Sequence, residues 1–195
     1  MVYVSTSGTF GSLVLGRKGI PTRSTWASLL GNERAPSFYY IKLGGIGAEC
    51  IRLPIRQGVF QIPKFGHGGV IMDTGTTVSS IPKVAYEALR DAFVAKTTKV
   101  PRLPVVEMFD TCYNLSGFLY HLLIISFYFS SGTVLSVPPN NFLNIVDGAI
   151  SCLAFASSSF DLSITGNVQQ EQLQITIDMA SISVGFGPNN CRIYS

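Results

Sequence analysis

Apolar residues in this chain come in short runs, many alternating with polar ones and most bounded by glycine, proline, serine or asparagine. Runs of that length with β-branched and aromatic residues predict strands. Gly11–Gly16, Phe38–Leu43, Cys50–Ile55, Val70–Met72, Val78–Ile81, Val134–Val137, Ile150–Phe155, Leu173–Asp178 and Ile182–Phe186 are the segments so read. Pro21–Pro36 reads as a turn-rich polar segment with Trp26 as a packing anchor, and Lys99–Pro104 as a proline-marked loop. A short turn or helix is expected near Pro138–Phe142. One segment has the helical period. After Pro82, expected at the first helical position, Val84, Ala85, Ala88, Leu89, Ala92 and Phe93 recur at spacings that put them on one face. Lys83, Glu87, Arg90, Asp91 and Lys96 cover the other face, so the helix is expected to pack on its own sheet. Phe118–Phe129 is almost uniformly apolar but too short to span a membrane, and reads as a buried strand or a site of local misfolding.

Composition narrows the class. With 195 residues, 47% hydrophobic and 13% charged, the chain can form a packed core and does not resemble a disordered one. The net charge of +3 is dispersed without a basic run, which argues against nucleic acid or an anionic membrane as partner. Met1-Val2-Tyr3-Val4 does not open a signal peptide, and no window reaches the ~18 apolar residues of a spanning helix. The four cysteines follow neither metal-ligand spacing nor a Cys-x-x-Cys pair, so no metal or cofactor is expected.

Candidate chemistry concentrates in Gly68-Gly69-Val70-Ile71-Met72-Asp73-Thr74-Gly75-Thr76-Thr77. A buried strand runs straight into an acid, which is followed by a glycine and three hydroxyls. Backbone N–H groups near Gly75 and the threonine hydroxyls can donate to the Asp73 carboxylate and lower its pKa. A bare Asp-Thr-Gly reads as an ordinary Asx-turn. The apolar lead-in and the hydroxyl after Gly75 point instead to a catalytic acid. His67 in the preceding loop reads as an exposed bystander, and His121 as a core histidine. Asn114-Leu115-Ser116 is a glycosylation sequon if the protein is secreted.

This stretch resembles the second active-site loop of pepsin-like aspartic proteases. Pro36-Ser37-Phe38-Tyr39-Tyr40, Phe109-Asp110-Thr111-Cys112-Tyr113, Ile164-Thr165-Gly166-Asn167-Val168-Gln169-Gln170 and Val184-Gly185-Phe186-Gly187-Pro188 extend the resemblance to the plant nepenthesin-like branch. It covers about Gly11 to Cys191. What it implies is a mainly β fold with one main helix, a single C-terminal lobe (residues 1–195) of the bilobal pepsin-like acid protease. The N-terminal lobe is then expected to lie outside this chain. The resemblance also implies a disulfide between Cys112 and Cys152 and an outside partner for Cys191; Cys50 stands where relatives usually carry a small residue, and no role is assigned to it. Location would be extracellular, vacuolar or plastid.

The same resemblance makes Asp73 the second member of a catalytic carboxylate pair in an aspartic endopeptidase acting on polypeptides. Thr74, Gly75 and Thr76 would support it, and Ile164-Thr165-Gly166 would end a neighbouring strand, bringing Gly166 beside Asp73. Thr165 stands where relatives carry an apolar residue. No second Asp-Thr/Ser-Gly exists, since Asp110, Asp147 and Asp178 lack the surrounding pattern. The site is therefore expected to need an N-terminal lobe or a second copy, and the chain alone to be inactive. Alternatives are an inhibitor or binding protein on the same fold, similar to the xylanase inhibitors, and a non-functional truncated remnant. A phosphotransferase would need parallel βα units and further acids that are not found.

Overall fold

Short strands and one long helix carry the chain in the computed structural model, which describes residues 2–3, 13–16, 20, 23–64, 66–115 and 123–188. In chain order the strands are β1 (Val2–Tyr3), β2 (Thr25–Leu30), β3 (Tyr40–Ile41), β4 (Leu43–Ala48), β5 (Ile51–Arg52), β6 (Gly69–Met72) and β7 (Ser79–Pro82). Helix α1 (Lys83–Lys96) follows, then β8 (Arg102–Leu103), β9 (Cys112–Asn114), β10 (Ile125–Phe129) and β11 (Val134–Val137). A 3₁₀ turn at Pro139–Asn141 precedes β12 (Leu143–Asp147), β13 (Ile150–Leu153), β14 (Phe155–Ser158) and β15 (Leu162–Thr165). The helical turn α2 (Asn167–Gln170) leads to a hairpin of β16 (Leu173–Asp178) and β17 (Ser183–Pro188).

Three sheets result. The largest has the order β1-β16-β17-β2-β3-β6-β15-β7-β14, and the smaller two are β11-β10-β4-β5 and β12-β13-β9-β8. Pairing is antiparallel except for β14 with β7 and β15 with β6. The mainly β lobe with one main helix is thus the fold seen. Strand β13 belongs to a small sheet and β14 to the large one, so the single strand expected over Ile150–Phe155 breaks at Ala154. There the chain changes sheets, with the Ala154 N–H bonded to the Phe142 carbonyl (2.8 Å).

The core lies between α1 and the sheets. Leu89 and Phe93 are fully buried, and the Phe93 ring meets Tyr113 and Phe142 edge-on at 5.8 and 6.3 Å. Phe129 stacks on Phe186 at 5.5 Å. Each such side chain contributes roughly 1.5–3 kcal/mol by leaving water. The apolar run ending at Phe129 becomes buried β10, paired on both sides by β4 and β11. Its earlier part, with His121, lies outside the described residues. Among the described residues no helix is long and apolar enough to cross a membrane.

Several local expectations are corrected. Pro82 is the last residue of β7 and the cap of α1, not its first helical residue. Val84 is 56% exposed while Tyr86 is buried, which rotates the packed face. Pro21–Pro36 contains β2, whose Trp26 ring covers Gly185 of β17 so closely that an added Cβ would lie 3.0 Å from it. Of Gly11–Gly16, residues 13–16 form no strand, with Leu13 and Leu15 exposed, and residues 11–12 lie outside the description. Phe38–Leu43 and Cys50–Ile55 hold shorter strands than expected. Glu49 and Cys50 form the left-handed tip of the β4–β5 hairpin (φ 52° and 64°). Lys99–Pro104 includes β8, and β12 was unexpected.

Tyr86 faces inward because its hydroxyl has a partner. It donates to Asp110 Oδ1, which also accepts from Thr111 Oγ1 at 2.6 Å, while Arg102 holds the Asp110 carbonyl. Burial and then the Asp110 bond push the phenol up to about 12. Burial raises the Asp110 carboxyl, but the Thr111 and Tyr86 hydroxyls with the Arg90 and Arg102 charges outweigh it and leave it lowered. Tyr86→Phe is expected to cost about 1–2 kcal/mol at neutral pH, read from the urea midpoint. A carboxyl lowered by folding stabilises above its unfolded pKa and loses that contribution as pH falls through the folded one. The Tyr86→Phe difference should therefore shrink in acid; an unchanged difference would place the effect in packing.

Candidate active site

Strand β6 brings Asp73 to its place. It lies between β3, antiparallel, and β15, parallel, with Ile71 opposite Tyr40 and Met72 opposite Thr165. Val70 and Ile71 are buried, which fixes the strand, and the Asp73 N–H bonds the Thr165 carbonyl at 3.1 Å. Beyond this bond the chain turns. Gly75 N–H donates to Asp73 Oδ1 at 2.8 Å and the Thr76 hydroxyl to Oδ2 at 2.7 Å. Each carboxylate oxygen is held by its own donor. The Thr76 hydroxyl, and after it the Gly75 N–H, keep the Asp73 carboxyl below its usual value of 3.8 against a small opposing effect of burial. Thr74 is exposed beside it.

The Ile164-Thr165-Gly166 segment is the immediate neighbour of this loop. Asn167 and Val168 N–H groups, at the start of α2, bond the carbonyls of Thr76 and Thr77 at 2.7 and 3.0 Å. Gly166 permits the approach: a Cβ there would lie 2.7 Å from Val78 C, 2.9 Å from Ser79 N and 2.9 Å from Thr76 O. All three are backbone atoms, so the clash cannot be relieved by a side-chain rotation. Gly166→Ala should therefore cost at least about 1–3 kcal/mol and part the two loops. A melting temperature equal to that of the parent would show that the loops yield freely. Thr165 is buried, and Ile164 pairs with Ile71 on the strand and borders a neighbouring cavity.

Four further residues hold this arrangement, and the sequence reading missed their roles. Gly166 N–H donates to Ser79 Oγ (2.9 Å), which itself donates to Gln169 Oε1. Gln169 Nε2 reaches the carbonyls of Ala154 (2.9 Å) and Asn141 (3.1 Å). Gln170 Nε2 bonds the Thr165 carbonyl at 2.8 Å, and Asn141 Nδ2 the Val168 carbonyl at 2.9 Å. Both glutamines are almost fully buried (3% and 2% exposed), and buried amides are there because their hydrogen bonds are met. Two adjacent glutamines after an Ile-x-Gly strand were the available signal.

A cleft of about 310 Å³ opens beside Asp73, bordered by Phe38, Tyr39, Met72, Thr74 and Gln170. Asp73 is the only acid lining it among the described residues. His67 is exposed on the neighbouring cavity and does not line this cleft. The described residues contain no group of three or more His, Cys, Asp or Glu suited to a metal ion. The Cys112–Cys152 disulfide joins directly opposed residues of β9 and β13, with Cα atoms 4.0 Å apart. Cys50 is an exposed free thiol, and Cys191 lies outside the described residues. Asn114 is exposed at the end of β9, while Ser116 of its sequon is not described.

Comparison with known proteins bears on the whole lobe. Residues 38–188 match the sequence model of the family described as xylanase inhibitor C-terminal. The chain is 50% identical over 183 residues to the protein ASPARTIC PROTEASE IN GUARD CELL 2 of Arabidopsis thaliana, covering 93% of this chain and 39% of that one. It is 34% identical over 196 residues to aspartic proteinase nepenthesin-2 of Nepenthes gracilis, covering 97% of this chain and 44% of the relative. The chain thus spans less than half the length of these relatives and matches their C-terminal part. Among solved structures, the crystal structure of edgp superimposes with a TM-score of 0.79 at 19% identity, covering 88% of this chain and 47% of that one. Conglutin gamma from lupine seeds gives 0.71 at 18%, with 88% and 42% covered. At those identities the likeness is one of fold.

Proposed function

The chain belongs to the xylanase inhibitor C-terminal family, and from that premise we propose that it supplies one carboxylate, Asp73, of an aspartic endopeptidase whose second carboxylate comes from another lobe. The observation that carries this reading is the hold on Asp73: a donor on each oxygen, at a strand end, in a cleft where the described residues offer no second acid.

Two carboxylates ~3 Å apart cannot both ionise, so the pair shares one proton and titrates as a unit. Asp73, kept anionic by its donors, is suited to take a proton from the attacking water. The complementary acid protonates the carbonyl oxygen as the tetrahedral intermediate forms; the C–N bond then breaks as the amine takes the proton that Asp73 removed from water, and a hydroxyl of the intermediate returns its proton to the complementary carboxylate. The cleft beside Asp73 would hold the polypeptide. The partner is an N-terminal lobe or, failing that, a second copy presenting its own Asp73. The disulfide is consistent with an oxidising compartment, extracellular or vacuolar. Asn114 would be a glycosylation site in the same compartment. An inhibitor or binding role on this fold has the family description in its favour, but it gives no reason for a donor on each Asp73 oxygen.

The test is an acid-pH peptide-cleavage assay on the purified chain, alone and recombined with a lobe carrying a complementary Asp-Thr-Gly loop. The chain alone is expected to be inactive and the verified recombined pair to turn over, with inhibition by pepstatin. A stable pair without turnover, or turnover by the chain alone that Asp73→Ala does not remove, would overturn the reading.

A further inference from the structure

Several cations on this surface take no part in the proposed chemistry. Arg34, Arg52 and Arg56 are exposed, and no carboxylate of the described residues lies within ion-pair distance of them. They line a connected series of hollows. The cleft of Asp73 shares Phe38 with a cavity of about 620 Å³ that Arg34 and His67 border. That cavity shares Ser158–Asp161 with one of about 550 Å³ containing Arg56 and Lys83. The last, of about 280 Å³, shares Arg56 and Gln61 with its neighbour and adds Arg52. Along the three, the described lining residues include four fixed cations, of which Lys83 also pairs with Glu87 at 3.9 Å, and one acid, Asp161.

The groups are positioned for contact. The Arg52 guanidinium lies over the Tyr128 ring at 4.5 Å, which steadies it while leaving its edge N–H groups free for a carboxylate. The buried Asn32 accepts from the backbone N–H of Arg34 through Oδ1 and donates through Nδ2 to the Gly66 carbonyl, tying the two loops that form one wall of the first cavity. The Arg34 stem lies against Gly66. Between the cations, large apolar side chains stand in solvent: Phe38 49%, Val84 56% and Phe160 75% exposed.

We propose that this trough docks an acidic stretch of the polypeptide substrate, several residues from the bond presented to Asp73. The inference rests on the proteolytic reading for naming a substrate, but the docking itself does not require catalysis. Charge complementarity argues for the acid side chains. The interleaved phenylalanines and valine argue for a polypeptide, because a polyuronate brings carboxylates without apolar side chains to cover them. Single exposed ion pairs are weak, so binding must come from several used together.

The test measures fluorescence anisotropy of a labelled peptide in which Glu alternates with Leu and Phe, titrated with the purified chain. The same peptide with Gln for Glu, and unlabelled polygalacturonate as competitor, complete the set. The Glu peptide is expected to bind more tightly than its Gln counterpart and to weaken as salt rises. Arg52→Ala with Arg56→Ala should weaken it roughly 3–20-fold, and Lys99→Ala, outside the trough, less than about 2-fold. Equal affinity for the two peptides, equal losses at Lys99 and in the trough, or displacement at lower concentration by polygalacturonate than by free Glu peptide would overturn the proposal. Peptide capture by the chain combined with no cleavage by the recombined pair would refute the dyad and leave the docking site standing.

Discussion

Asp73→Asn in the recombined two-lobe protein is expected to lower kcat/KM for peptide cleavage by at least about 10²–10⁴-fold, the range for one participant in proton transfer. The substitution suits the question because the amide keeps the shape of the side chain. Its oxygen can still accept from Gly75 N–H, and the Thr76 hydroxyl can rotate to accept from the new NH₂. What is lost is the base. In the chain alone, the two donors hold the carboxyl below its usual value, so it stays ionised into acid, and folding draws on that ionised form above the unfolded pKa. Bringing a second carboxylate to it should raise the pKa of one member of the pair, giving a bell-shaped pH profile in which neither limb belongs to Asp73 alone. The check is kcat/KM across acid pH for parent and variant, with melting temperature measured alongside. A variant of unchanged melting temperature that keeps a tenth of the activity would remove Asp73 from the chemistry.

Replacing both Cys112 and Cys152 by alanine should lower the unfolding free energy by about 3–4 kcal/mol. Chain-entropy cost of an open loop is the source, since the bridge closes a segment with a sequence separation of 40. Against a total stability of roughly 5–15 kcal/mol that is a large fraction. Both cysteines are fully buried, and the smaller side chains add a packing loss of the same sign. The effect reaches toward the site. Strand β13 ends one residue before Ala154, whose carbonyl accepts from Gln169 Nε2, and Gln169 in turn holds the Ser79 that holds Gly166. The measurement is the urea midpoint of the parent and the double variant, repeated with reductant present. A double variant within 1 kcal/mol of the oxidised parent would contradict the argument.

Local pattern determined a good deal by itself. The apolar run ending in Asp73-Thr74-Gly75-Thr76 indicated a strand delivering an acid to a turn rich in donors, because strand, turn and donors all lie within a few residues of one another. The helix after Pro82 was legible from its period for the same reason. Its packed face was only partly so. Val84 fits the apolar stripe yet stands in solvent, and Tyr86 goes inside because Asp110, from another part of the chain, accepts its hydroxyl. Likewise β2 was hidden in a segment rich in turn residues, and it exists because β17 and β3 pair with it.

The supports of the site were the least visible. Ser79 meets Gln169 across 90 residues, and Gly166 meets Ser79 across 87. The cations of the trough are scattered from Arg34 to Lys83 and become neighbours only when the loops between strands fold back beside one another. Sequence period reports which side of an element is apolar, a property of adjacent residues. Which buried polar group finds a partner, and which charges share a groove, depends on the crossing of strands distant in the chain, and that only the tertiary structure decided.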